Sequence, residues 1–190
     1  MINLFNKKNQ NQLRIIKRLK NIERLQTPNG WQKIVSIAVG GLTEIGFSKT
    51  TNHLLIISNT GRSLINCSNG ERLARDYEEN GDWYNPLALT CQGIGTIAGE
   101  LIDITGLCGG GLPIINQYGE SLELVAINWP LEDIYFCPSG KSVFIENLQT
   151  SCQHIFSDYI QSYGFSWNGV FIVIATSSDV TIWQRLSPKL

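Results

Sequence analysis

The chain has 190 residues, of which 43% are hydrophobic and only 16% are charged. This length and composition exclude a disordered chain, a coiled coil and a collagen-like fibre, and they suit one domain, alone or with an appendage. The formal net charge of −1 conceals a division of charge along the chain. Residues 1–26 hold seven basic residues against one acid (net +6), whereas residues 27–190 hold eight basic residues against fifteen acids (net −7).

The N-terminal segment predicts one amphipathic helix, over Leu13–Leu25. Apolar residues recur there at steps of three and four, which places four of them on one face, opposite a basic face: Ile15, Ile16, Leu19 and Ile22. The turn sequence Thr27-Pro28-Asn29-Gly30 is expected to end the helix. We expect the helix to pack on the body with its basic face in solvent. A role at a membrane surface or on nucleic acid is the alternative.

After Gly30 the pattern changes to short apolar or alternating runs separated by turn residues, which is typical of β-strands. The predicted strands are Lys33–Val39, Leu42–Phe47, His53–Ser58, Arg62–Cys67, Leu101–Thr105, Leu122–Ile127, Asp133–Phe136, Ser142–Glu146, Gln153–Phe156, Ser162–Phe165, Phe171–Thr176 and Val180–Gln184. We therefore predict a mainly β fold, an antiparallel, propeller-like or sandwich-like meander of short strands with one N-terminal amphipathic helix. The predicted domains are a basic helix and turn over residues 1–30 and a single acidic β domain over residues 31–190.

A short phrase recurs three times in the β region, as Ile45-Gly46-Phe47-Ser48, Ile134-Tyr135-Phe136-Cys137 and Tyr163-Gly164-Phe165-Ser166. Its last copy opens a segment, residues 160–184, that resembles a blade of the WD40-type β-propellers. In that family a Phe-Ser phrase and an Asn-Gly or Asp-Gly turn precede a buried strand, and the final strand ends in tryptophan, here Trp183. At about 40–45 residues per blade, residues 31–190 hold fewer than four blades. The resemblance therefore implies propeller-like antiparallel sheets rather than a regular closed ring.

The cysteines and the N-terminus bear on the location of the protein. There are five cysteines at wide spacings, without a C-x-x-C pair: Cys67, Cys91, Cys108, Cys137 and Cys152. The first 25 residues lack the apolar core and cleavage site of a secretory signal, and no apolar stretch approaches the roughly 20 residues that span a bilayer. We therefore expect reduced thiols in a cytoplasmic protein that does not span a membrane.

Motifs that could carry chemistry are weak. Gly93-Ile94-Gly95-Thr96-Ile97-Ala98 matches the dinucleotide fingerprint, but too little helical sequence follows it to bind a pyrophosphate. Cys152 and His154 would share one face of a strand, as a Cys-His nucleophile requires, but no orienting partner is evident. With only two histidines and scattered cysteines, a zinc site is not expected. We predict no catalytic residues, no cofactor and no metal, and keep an enzyme with an unrecognised site as an alternative.

One acidic segment stands out, because four carboxylates within seven residues are interleaved with three aromatic residues. Aromatic anchors in a complementary charge field are typical of protein interfaces. The predicted partner-binding residues are Asp76, Glu78, Glu79, Asp82, Trp83 and Tyr84. The alternative is a solvated loop whose Trp83 packs in the core.

These observations favour a non-catalytic protein that binds another protein. In type, the chain resembles the bacterial immunity proteins that neutralise a cognate toxin, such as those of contact-dependent inhibition systems. An acidic body would attract a basic toxin, for example a nuclease, and would itself repel a nucleic-acid backbone. The alternative is a WD40-like scaffold module within a larger assembly. Neither hypothesis specifies the oligomeric state.

Overall fold

The computed structural model describes residues 2–78 and 81–186. One α-helix, α1 (Ile2–Lys20), precedes the β region, and a short 3-10 helix lies at Gly95–Ile97. The strands are β1 (Trp31–Ala38), β2 (Leu42–Phe47), β3 (His53–Ser58), β4 (Gly61–Asn66), β5 (Arg72–Asp76), β6 (Tyr84–Asn85), β7 (Thr90–Gln92), β8 (Leu101–Asp103), β9 (Thr105–Gly106), β10 (Ser121–Val125), β11 (Glu132–Cys137), β12 (Gln153–Asp158), β13 (Ser162–Phe165), β14 (Phe171–Ala175) and β15 (Asp179–Arg185). None of the described helices combines the length and the apolar character needed to cross a membrane.

The strands form four antiparallel sheets, which we name A to D. Sheet A has the order β5-β4-β3-β2-β9, sheet B β6-β7-β8, sheet C β10-β11-β12 and sheet D β1-β15-β14-β13. Neighbouring strands within each sheet pair antiparallel, and most are consecutive in the chain. In sheet D, β1 pairs with β15, so the first and last strands lie side by side. The prediction of a mainly β, antiparallel meander of short strands with one helix is confirmed.

Two of the sheets are buried on both faces, and this explains their continuous apolar runs. Side chains alternate between the two faces of a strand. In β14, Phe171 and Val173 pack against sheet A, whereas Ile172 and Ile174 face the core shared with sheet C. In β3, alternate residues likewise divide between the core shared with sheet D and the core shared with sheet B.

The hydrophobic clusters therefore place the sheets in the order B, A, D, C, with α1 packed on the outer face of sheet C. Leu19 is the buried anchor of the helix, and it packs against Tyr135 and Cys137 of β11. Each sheet covers an apolar face of its neighbour, as adjacent blades do in a propeller. Helix α1 covers the last apolar face of this series.

The helix prediction was wrong at its boundaries, because α1 spans Ile2–Lys20 rather than Leu13–Leu25. The residues after it are drawn into backbone hydrogen bonds with β12: the His154 N–H donates to the Glu23 carbonyl, and the Leu25 N–H donates to the His154 carbonyl. These bonds demand extended backbone, so the helix ends before the Thr27–Gly30 turn. The predicted apolar face is also only partly buried, since Ile15 is exposed whereas Leu19 is buried.

The strand predictions were accurate for β2, β3 and β13, whose bounds are confirmed. Most of the others differ by one or two residues, and predicted Leu101–Thr105 includes both β8 and the start of β9. The predicted strand Ser142–Glu146 is wrong, because this segment is a loop. Its Val143 N–H and Ser142 hydroxyl donate to the Glu123 carboxylate instead of to a neighbouring strand. The short strands β5, β6 and β7 were not predicted.

Candidate partner-binding surface

Asp76, at the end of β5, is engaged in an internal ion pair. Its Oδ2 accepts hydrogen bonds from Nε of Arg62 at 3.0 Å and from Nη2 at 2.9 Å. A hydrogen bond from the Glu78 N–H and those from Arg62 lower the pKa of the Asp76 carboxyl. The buried Arg62 also donates to the Gln92 carbonyl of β7, so the Asp76 carboxylate orients the guanidinium that joins sheet A to sheet B.

The two aromatic residues of the predicted site point into the protein. Trp83 is only 7% exposed, and its ring lies under the Arg62 guanidinium, with 4.4 Å from the carbon Cζ to the ring centroid. Tyr84 is half-buried, and its hydroxyl donates to Oε1 of the buried Glu44 at 3.1 Å. Burial is the main cause that raises the pKa of Tyr84. The structure thus places Trp83 in the core, as the alternative interpretation of this segment expected.

Of the three remaining predicted residues, two are exposed to solvent and one lies outside the described part of the chain. Glu78 and Asp82 are exposed, and Glu79 lies outside the described residues. Between the acids, Tyr77 is 73% exposed, with Cζ of Arg75 at 4.9 Å from its ring centroid. Of the six predicted residues, therefore, the structure presents two carboxylates to solvent and draws three side chains inward.

A second surface, which sequence reasoning missed, lies at one end of sheet C. Trp129 is 79% exposed in the turn between β10 and β11, beside the exposed Leu131. Glu132 pairs with Asp158 across β11 and β12, so Tyr159, also exposed, lies at the same end. We call these five residues, Trp129, Leu131, Glu132, Asp158 and Tyr159, the Trp129 surface. A signal for it was present, since a Trp-Pro pair between two strands indicates a turn, where side chains face solvent.

The Cys152–His154 pair does not have the environment of a nucleophile and its base. Burial raises the pKa of the Cys152 thiol, which disfavours the reactive thiolate. Its Sγ donates to the Leu148 carbonyl at 3.7 Å. Nε2 of His154 lies 3.0 Å from Asp133 Oδ1, and its ring stacks on Tyr135 with 5.0 Å between centroids. Both side chains have structural surroundings in sheet C.

The glycine-rich fingerprint likewise forms a local turn. Residues 95–97 make a single 3-10 turn, followed by another turn and then β8, so this segment offers no long helix to a phosphate. Within residues 2–78 and 81–186, no three histidine, cysteine or acidic side chains converge as metal ligands would. No family model matches the chain, and no curated protein matches it either. The exposed aromatic residues and the charge distribution are thus the features from which a function can be argued.

Proposed function

We propose that the chain is a non-catalytic cytoplasmic protein that binds another protein through the Trp129 surface. The observation that carries this proposal is the exposure of Trp129 and Tyr159 together at one end of sheet C. Tryptophan and tyrosine dominate the binding energy of protein interfaces, because burying them removes a large apolar area from water at a low entropic cost. Glu132 and Asp158, both half-buried, pair across β11 and β12 at this end of the sheet and add negative charge at its edge.

The specific form of the proposal is an immunity protein that neutralises a basic protein toxin, such as a nuclease. The net charge of −7 over residues 27–190 supports a basic partner, since opposite charge speeds encounter and like charge repels. A toxin that binds nucleic acid is expected to be basic, because positive side chains bind the negatively charged phosphates. The exposed Glu78 and Asp82 add to this field and would act on the association rate rather than as a packed anchor.

A pull-down from the source organism, read by mass spectrometry at low salt and at roughly 0.5 M salt, tests the proposal. We expect one stoichiometric basic partner, retained by the wild-type chain. Trp129→Ala together with Tyr159→Ala should weaken its binding by about 30-fold or more, as the loss of interface hot spots does. The matched control is Leu87→Ala, since Leu87 is also an exposed apolar residue but lies near sheet B.

The outcomes separate the hypotheses. If the aromatic variant binds the partner as well as the Leu87 variant does, the Trp129 surface is not the docking site. Capture of several substoichiometric partners would instead favour a scaffold, and capture of none at either salt would favour an enzyme.

The predicted acidic segment is tested with the same partner. Glu78→Lys combined with Asp82→Lys should slow association and flatten its dependence on salt, because steering is electrostatic. Both side chains are exposed, so the variant should keep the stability of the wild type. An unchanged association rate would show that this segment does not steer the partner.

The scaffold hypothesis has one structural observation in its favour. The three copies of the repeated phrase bury their phenylalanines, Phe47, Phe136 and Phe165, in the cores between sheets. A repeated core position is what stacked blade-like units require. The number of partners captured in the pull-down distinguishes a scaffold from an immunity protein.

A further inference from the structure

We infer that the groove between β1 and β5 binds a small organic anion, a carboxylate or a phosphate ester with an apolar body. These two strands are the outermost strands of the adjacent sheets D and A. Between them lies a cavity of about 400 Å³, within the range of small-molecule sites. Its lining includes Ile37, Val39, Ser63, Arg72, Arg75 and Tyr77. We call this cavity the arginine groove.

The guanidinium of Arg75 is held in place by neutral groups. Its Nη1 donates to Ser63 Oγ at 2.8 Å, and its Nη2 donates to the carbonyl and the hydroxyl of Thr60 at 2.8 and 2.6 Å. The ring of Tyr77 lies against it. A guanidinium has five N–H donors, so these bonds leave the Nε donor and one Nη1 donor for a further acceptor. A fixed guanidinium with spare donors suits a carboxylate or a phosphate.

The charge of the groove is opposite to that of the domain around it. Arg72 and Arg75 both line it, and no carboxylate of the described residues does. Arg62, one strand away, shows the contrast, because Asp76 neutralises it on the other face of sheet A. A concave site with two arginines, within a body of net charge −7, favours an anion there.

The floor of the groove defines the rest of the ligand. Ile37 and Val39, both partly buried, present apolar surface beside the charged end, and the buried Ile56 and Ile65 lie beneath them. Tyr77 adds an exposed aromatic ring. An inorganic anion would leave this surface in water, whereas an aromatic or branched aliphatic body would cover it. The ligand class is therefore an anionic head on a compact apolar body.

Isothermal titration calorimetry with three probes tests the inference: phenyl phosphate, 3-phenylpropionate and inorganic phosphate. We expect at least one aromatic probe to bind about tenfold or more tightly than inorganic phosphate, because only it covers the apolar floor. The tighter of the two aromatic probes identifies the anionic head as phosphate or carboxylate. Arg72→Glu should weaken that probe by about tenfold or more, and because Arg72 is exposed this variant keeps the fold.

Arg75→Gln should have the larger effect on binding, with far-UV circular dichroism as its check of folding. The matched control for Arg72→Glu is Arg14→Glu, which makes the same change of charge at an exposed position on α1. If inorganic phosphate binds as tightly as both aromatic probes, or if Arg72→Glu binds as the wild type does, the inference is wrong. The groove lies on sheets A and D, so this result is independent of the partner-binding surface on sheet C.

Discussion

Replacing Trp83 by alanine should destabilise the protein by about 3–5 kcal/mol, the usual cost of truncating a buried tryptophan. Trp83 is 7% exposed and packs with Leu55, Ile57 and Leu64 of sheet A. Its ring also lies under the Arg62 guanidinium, and a cation–π contact between two buried groups is worth about 2 kcal/mol. Since whole domains are stable by only about 5–15 kcal/mol, this loss is large.

The assay is urea unfolding followed by far-UV circular dichroism, with hydrogen exchange to locate the loss. Sheet B has only three short strands and packs at one end of the series of sheets, so amides of β6, β7 and β8 should lose protection first. The matched control is Trp129→Ala, because Trp129 is 79% exposed and its loss should change stability by no more than about 0.5 kcal/mol. An equal loss in the free energy of unfolding for the two variants would refute the view that Trp83 holds sheet B on sheet A.

Three further predictions concern thiols, pH and the helix. Native protein at about pH 8 should react quickly with a thiol reagent at the exposed Cys108 alone, because the other four cysteines are buried and burial raises the pKa of Cys67 to about 12. Asp76→Asn should lower the free energy of unfolding most above about pH 4, and the difference from the wild type should vanish in acid. The pKa of this carboxyl is lowered in the folded state, so the group stabilises the fold only while it is ionised. In urea unfolding, Leu19→Ala should cost about 2–4 kcal/mol against no more than about 0.5 kcal/mol for Ile15→Ala, because Leu19 is 2% exposed and Ile15 is 40% exposed.

The fold class was predictable because local pattern and burial agree. The apolar runs of β3 and β14 are bounded by turn residues, so the period and the length of each strand could be read from the sequence. Residues 142–146 show the opposite case. Their apolar Val143, Phe144 and Ile145 resemble a strand, but the Glu123 carboxylate captures the Val143 N–H and fixes a loop. Such a bond from a residue 20 positions away leaves no local trace.

The candidate site was less predictable, since it depends on which tryptophan is buried. Trp83 follows a run of acids and Trp129 lies beside a proline. Neither tryptophan therefore lies in a segment with the alternating apolar pattern of a core strand. The burial of Trp83 depends on Arg62, because the guanidinium packs on the Trp83 ring and pairs with the half-buried Asp76. That contact links β4, β5 and the turn before β6, and it could not be derived from spacing.

The pairing of β1 with β15 has a consequence for how the chain acquires its structure. The hydroxyls of Ser36 and Thr181 meet at 2.8 Å although 145 residues separate them. During synthesis β1 therefore lacks this partner strand until β15, about 145 residues later, has left the ribosome. Pairings so distant in sequence slow folding, because the loop they close is long. Until β15 has been synthesised, β1 is an unpaired edge strand with which another chain could pair. Sheet D is therefore the part of the molecule most exposed to misassembly.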